Sequence, residues 1–517
     1  MTLEIQSAPA PALIDAGAGI ELTPALDRGV TIDPVLRPAL VGQHPRALEN
    51  IDRLLSGDAI CVTSGQQPGL FTGPLFTVYK AISAVVLARE CEAALGRPVV
   101  PVFWVAGDDH DFAEASHVTL LSSANKLERI ELPSREVGAP STPLYRDQLG
   151  PEIEGLIARV NELMPDTEFR ADAMAWLERH YRPGNDMATA FGDSLAELLG
   201  PAGLIVFHPT HSTAKAVSTP WMMEALEHAA ELDESLQLKA KELETAGRAV
   251  PVTIQAGNTL VMVDGSMGRD RLIMDGTGFL TRRAGEKWTL PALRELAKTA
   301  PERLSANVLL RPVVEAAILP TVAYIAGPGE MAYIPQAAPV YEVLGVTPQV
   351  FVPRWSARVI EARVRKTLDR YDLTPEDFAV SEGRLEARLV QDAMPPNAAS
   401  ALELLRETVE VQFSQLTAAA KQIDQTLEKP IEHVRHQIAS GLEHVEKRFI
   451  SRLKQQNETL VQRIANARNA VLPNGRPQER VFNILQYLVK YGPSFLQEAE
   501  ASCEAWAKDL ASVPRRP

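Results

Sequence analysis

The apolar run Ala59 to Val62 passes straight into T-S-G-Q-Q-P-G-L-F-T-G-P, and a helix pattern starting near Pro74 carries on through Lys80 to Cys91. A strand that breaks at glycines and resumes as a helix is the repeating unit of α/β architecture, so this stretch constrains the fold more than any other. Turns of this kind leave unpaired N–H groups at a helix N-terminus, and glycine lets a ligand approach the backbone. Pro74 suits the first helical position, with Thr72 or Gly73 as cap. Gly73, Thr77 and Lys80, four and three residues apart, then share a helix face. A hydroxyl and an ammonium beside open N–H groups would suit phosphate or carboxylate oxygens. Gly65, Gln66 and Gln67 belong to the same candidate site. The plainer alternative is a tight turn with Lys80 in solvent. The phosphate loop G-x-x-x-x-G-K-[S/T] is absent.

From Ala59 onward, short apolar runs alternate with helical patterns. Strands are expected at Ala59–Thr63, Val99–Ala106, Leu204–His208, Thr259–Val263, Leu319–Ala326 and Gln349–Val352. Helices are expected at Pro74–Cys91, Asp186–Leu199 and Pro220–Thr245, with an earlier one around His44 to Leu55 after an irregular start. This predicts a Rossmann-like, largely parallel sheet covered by helices within residues 1–395. Segments 121–200 and 210–310 are too long for plain crossovers and read as inserted subdomains. A length of 517 residues exceeds one ordinary core.

Two further motifs sit at expected strand ends, where α/β enzymes place their chemistry. After Val99–Ala106 comes Asp108-Asp109-His110-Asp111. Its carboxylates could raise the imidazole's pKa, hold a hydroxylated substrate or take a divalent ion, or simply cap the next helix. After Leu319–Ala326 comes Gly327-Pro-Gly329-Glu330, followed by Tyr333. It matches G-x-G-x-x-A, but no carboxylate stands some twenty residues on to hold a ribose, so a dinucleotide site is disfavoured. Arg354, ending the next strand, is a candidate for an anionic ligand; Arg311 is a weaker one. Cys61, Cys91 and Cys503 lie far apart and form neither a zinc pattern nor a disulfide framework, so buried thiols, no metal centre and a cytoplasmic setting are expected.

Residues 399–471 contain one proline and one glycine. Within them Ile431, Leu442, Leu453 and Ile464 recur every eleven residues. So do Val434, Val445, Gln456 and Ala467, and likewise Ile438, Phe449, Leu460 and Val471. This is the period of a nearly straight coil, and only Gln456 breaks it. An antiparallel helical hairpin over 396–472 is expected, with a second arm roughly 60 Å long, and 473–517 should return as helices onto the core. The hairpin region carries ten Lys/Arg against nine Asp/Glu, in a chain of net charge −14. That balance disfavours nucleic acid and favours pairing of two copies into a homodimer. No apolar run is long enough for a membrane span, and no signal peptide is seen.

Four motifs in the same order, T-S-G-Q-Q-P-G-L-F-T-G-P-L-F-T-V-Y-K, P-V-F-W-V-A-G-D-D-H-D-F, the segment Asn307–Tyr333, and L-P-N-G-R-P-Q-E-R-V-F-N after the coil, resemble the bacillithiol biosynthesis cysteine-adding enzymes. The resemblance implies a Rossmann-like core related to class I adenylating enzymes and a coiled-coil dimer arm. It also implies a ligase that joins cysteine through its carboxyl to the amine of glucosaminyl malate, with ATP as energy source and Mg²⁺ as a conceivable companion. On this reading Lys80 and the turn N–H groups face phosphate, His110 is the general base or an ATP contact, and Asp109 and Asp111 hold Mg²⁺ or the substrate ammonium. The family often has Glu where this chain has Asp108. A related adenylating or nucleotidyl-transferring enzyme acting on another acid and amine fits the same motifs.

Overall fold

The computed structural model describes residues 3–7, 29–381, 383–391 and 394–510. Most of the irregular start lies outside them. The chain forms two compact units, residues 5–359 with 478–517, and residues 1–4 with 360–477.

The first unit is built on a six-stranded sheet. Its spatial order is Val350–Pro353, Thr321–Ala326, Ile60–Gln66, Val99–Val105, Ile205–Phe207 and Leu40–Val41. The first five strands are parallel and the last is antiparallel. Numbered by position along the chain, the parallel strands run 5-4-1-2-3, the Rossmann order. The order reverses between Ile60–Gln66 and Thr321–Ala326, which pair with Thr63 opposite Tyr324 and Ser64 opposite Ile325. Ligands in such sheets bind at this reversal, outside the carboxyl ends of the strands.

The strands are apolar on both faces because helices cover both. Ile60, Val62, Val322 and Ile325 pack toward helix Phe76–Leu95, while Cys61, Val100, Val102 and Trp104 join the larger core on the other side. Helix Phe76–Leu95 is apolar nearly all round, and the C-terminal helix Ser494–Leu510 lies against it. None of the three cysteines forms a disulfide and all are buried, and burial pushes the Cys91 thiol up to about 12.

The expected insertions have structure of their own. Residues 117–131 form a hairpin, followed by helices Glu152–Leu163 and Arg170–His180. A five-stranded antiparallel sheet occupies 258–306. The single helix expected over Pro220–Thr245 is two, Ser212–Glu227 and Ala229–Thr245. The first begins eight residues before Pro220, which sits inside it.

In the second unit, Pro396–Ile423 and Glu428–Gln456 form an antiparallel hairpin joined at Asp424–Leu427. Ion pairs Arg435–Glu410 (2.8 Å) and Arg406–Glu446 cross it. The expected single arm to Val471 is interrupted: the helix stops at Gln456 and resumes as Glu458–Val471. The break falls beside the one polar residue in the eleven-residue stripe. Val434, Ile438, Val445 and Phe449 stay exposed.

Candidate active site at the sheet reversal

A cavity of about 540 Å³ opens at the reversal. Both glycine turns and the aspartate turn reach it, contributing Gly65, Gln66, Gln67 and Lys80, then Asp108 and Asp109, then Gly327, Gly329, Glu330 and Tyr333.

Lys80 is only 3% exposed, so it is not a solvated surface lysine. Helix Phe76–Leu95 carries it back over its own strand, where Nζ donates to the Gly65 carbonyl (2.8 Å) and Gln66 Oε1 (3.1 Å) and pairs with Glu330. Burial lowers its pKa, as do Arg354 and Arg311; the Glu330 carboxylate opposes them. Glu330 Oε1 accepts from Tyr324 Oη (2.5 Å) and Oε2 from the Gly327 N–H (2.7 Å). The network continues through Arg311, which donates to Tyr324 Oη (3.1 Å) and to Glu315 Oε2 (2.7 Å). Glu315, wholly buried, also accepts from Thr63. The Arg311 guanidinium lies 5.2 Å from the Tyr324 ring and 5.9 Å from Trp104. Burial pushes the Tyr333 hydroxyl up to about 12 although Arg311 draws it down. Lys80 and Arg311 are therefore each held by a carboxylate, which fixes donors and acceptors before a ligand arrives.

The far half of the first turn behaves otherwise. Gly73 and Thr77 are buried and do not line the cavity. The helix starts at Phe76, and most of the turn's backbone polar groups are taken by the protein itself, while the buried Thr72 and Thr77 hydroxyls have no partner. Leu75 N–H donates to the Phe482 carbonyl (2.6 Å), Thr72 N–H to Tyr181 Oη (2.7 Å), and Asn483 Nδ2 to the Phe71 and Gly73 carbonyls (both 2.6 Å). The expected anion cradle at Gly73 and Thr77 is thus a sealed turn. The face that helix offers the cavity is Phe76 and Lys80, one turn apart.

The aspartate turn divides. Asp109 lines the cavity, its Oδ1 accepting from the N–H groups of His110 (2.7 Å) and Asp111 (3.2 Å). Asp111 caps the short helix Phe112–Ala115 through the Glu114 N–H (3.1 Å), the structural role that competed with ligand binding. His110 and Asp111 line a neighbouring depression instead. Burial and Arg269 hold the His110 pKa below its ordinary value despite Asp109. Arg269 Nη1 lies 3.2 Å from His110 Nδ1, and an arginine can only donate. The neutral ring therefore keeps its proton on Nε2 and offers no lone pair there, contrary to a general-base expectation. Arg354 lines the cavity, but its two Nη atoms are occupied by Glu479, the Trp355 carbonyl and Ser356 Oγ.

A model of the N-terminal Rossmann-like domain of bacillithiol biosynthesis BshC matches residues 38–355, and one of the BshC C-terminal coiled-coil domain matches 357–504. The chain belongs to the BshC family. The Koribacter versatilis protein named "Putative cysteine ligase BshC" is 34% identical over 466 residues, covering 90% of this chain and 86% of that one. Proteins of the same name are 32% identical in Salinibacter ruber (91% and 86% covered) and 28% identical in Bacillus licheniformis (91% and 88%).

The BshC cavity also contains groups that the motifs did not point to. Lys215 pairs with Asp108 (2.6 Å) and is only 1% exposed. Arg269 comes from the inserted antiparallel sheet, and Asn307 precedes helix Arg311–Ile318. Glu114 is there too, its pKa raised by burial and by Asp111 and Asp109. Asn307 opens one of the family motifs, and Lys215 left a trace of its own: Lys215 and Ser218, at i and i+3, put polar groups on a helix face that points inward.

Proposed function

We propose that this cavity ligates cysteine to glucosaminyl malate with ATP, forming the amide of bacillithiol. The observation that carries the reading is the meeting of both glycine turns and the aspartate turn at the sheet reversal of a BshC-family chain. Bound ATP would supply the activation that a carboxylate needs before an amine can displace its oxygen. The N-terminus of helix Pro328–Val343 opens on the cavity at Gly329, and although Glu330 already holds the Gly327 N–H and Lys80, the positive helix end with Lys80 and Arg311 nearby suits phosphate oxygens. Asp108, Asp109 and Glu114 line the cavity, but among the described residues no three His, Cys, Asp or Glu side chains are grouped to hold a metal ion, so no step is routed through Mg²⁺. The glucosamine amine must lose a proton, and we assign its acceptance to Asp109, whose Oδ2 makes no hydrogen bond in the turn. His110 acts at one remove, by fixing Arg269.

The exposed apolar residues Val434, Ile438, Val445 and Phe449 support a homodimer through the hairpin. Sedimentation at micromolar concentration should give a dimer; a monomer would contradict this. No helix among the described residues is long and apolar enough to cross a membrane, and three cysteines outside any disulfide accord with a reducing cytoplasm.

The test is incubation with ATP, cysteine and glucosaminyl malate, followed by mass spectrometry for bacillithiol and for AMP or ADP. Product is expected. Its absence from folded protein would overturn the reading.

A further inference from the structure

We propose that the Lys215 end of the cavity is a carboxylate-binding subsite, separate from the Lys80–Glu330 end. The inference deepens the ligase reading and rests on it for the identity of the ligand.

The two ends differ in how their cations are matched. Lys80 has Glu330, Arg311 has Glu315 and Arg354 has Glu479. At the other end Asp108 is, among the described residues, the only carboxylate in contact with either cation. Lys215 Nζ donates to Asp108 Oδ1 (2.6 Å) and the Leu304 carbonyl (2.9 Å), leaving one of its three N–H groups. Arg269 meets only neutral partners: Ser305 Oγ (2.9 Å), His110 Nδ1 (3.2 Å) and the Ala306 carbonyl (2.7 Å). Asp108 and, more weakly, Asp109 reach Arg269 only through space.

Two orphaned polar atoms line the same cavity. Asn307 is 4% exposed, and its Nδ2 has no partner. Its orientation is fixed, because Oδ1 caps the following helix through the Leu309 and Leu310 N–H groups (both 3.0 Å). Nδ2 is therefore a committed donor. Ser218, also 4% exposed, has an unpartnered Oγ. A buried donor left unmade is costly, so a ligand that accepts from it binds with that cost relieved. Together these groups offer an ammonium, a guanidinium, an amide and a hydroxyl, with Asp108 the one carboxylate in direct contact and Asp109 acting from farther off. A carboxylate ligand, acceptor-only and with about four lone-pair sites, complements that set. Two sources share this chemistry, the carboxyl of cysteine and the malyl carboxylates of the acceptor.

The test is calorimetric titration of the full chain with L-malate, cysteine and cysteamine, the last being cysteine without its carboxylate. The variants are Asn307→Asp, which keeps the cap but replaces the donor with negative charge, and Lys215→Met. Wild type should bind malate or cysteine and should not bind cysteamine comparably. The carboxylate whose affinity falls roughly 10- to 100-fold in both variants is the one the subsite holds. Asn307→Asp is nearly isosteric, so it remains informative if Lys215→Met folds poorly. The proposal is overturned if wild type binds neither carboxylate, or if folded Asn307→Asp binds both as wild type does. None of these arms needs turnover. A chain that binds the carboxylate yet makes no bacillithiol would sink the ligase reading and leave the subsite; bacillithiol formation with unaltered binding by Asn307→Asp would do the reverse.

Discussion

The two glycine-rich turns follow adjacent parallel strands and look alike in sequence, yet the second opens on the ligand cavity at Gly327, whereas the first reaches it only through Gly65–Gln67 and turns its Gly73 half into the protein. At Gly327 the strand ends, a helix of sixteen residues begins, and its first turn opens on the cavity. At Gly73 the chain is closed over by Tyr181, Phe482 and Asn483, which bond the turn's backbone N–H and carbonyl groups. Glycine serves different ends in the two places. Gly73 has φ +68° and ψ −157°, which side chains do not tolerate. Gly327 has an ordinary φ of −76°, but a Cβ there would lie 3.3 Å from Glu330 Oε2 and 3.5 Å from Lys80 Cε. One glycine is a requirement of the backbone, the other of the site.

Substitutions can break that contrast. Lys80→Ala should have the largest effect. It leaves Glu330 without its cation, so a loss of about 100- to 1,000-fold in kcat is expected, with about 3–5 kcal/mol of stability lost in denaturant titration. A variant of unchanged rate would remove Lys80 from the site. Gly327→Ala should reduce kcat/KM about 10- to 100-fold by displacing the Lys80–Glu330 pair, with little change in Tm. Gly73→Ala should do the opposite, costing about 1–3 kcal/mol of stability while the folded fraction turns over as wild type does.

A smaller effect concerns the core behind the site. Burial lowers the His208 pKa from 6.5 to about 4, with Asp186 opposing the shift and His211 adding to it. Below pH 6.5 the unfolded chain takes up a proton that the native ring refuses, so stability falls as pH falls. The loss reaches roughly 3 kcal/mol near pH 4 and levels off below it. Denaturant titrations of wild type and His208→Gln between pH 7 and pH 4 should show the variant losing less.

The sequence made the strands legible because both faces of a parallel sheet are buried and read as short apolar runs. It made the cavity legible wherever glycine or clustered charge marked a strand end: Gly65, Lys80, Asp109, Gly327 and Glu330 all line it. Gly73 and Thr77 misled, because their surroundings come from Tyr181 and Asn483, more than a hundred and four hundred residues away. Arg269 was invisible for the same reason, reaching the cavity from an inserted sheet whose sequence carries no motif. His110 drew attention as an imidazole among carboxylates, but Arg269 decides its tautomer. The eleven-residue repeat located the hairpin, and its one polar lapse, Gln456, marked where the helix breaks.

The most direct test of the central claim is the rate of bacillithiol formation, per folded molecule, by Gly327→Ala and Gly73→Ala side by side with wild type. A site at the sheet reversal predicts that Gly327→Ala falls by at least about tenfold and that Gly73→Ala holds the wild-type rate. Equal rates for all three, or a loss confined to Gly73→Ala, would contradict it.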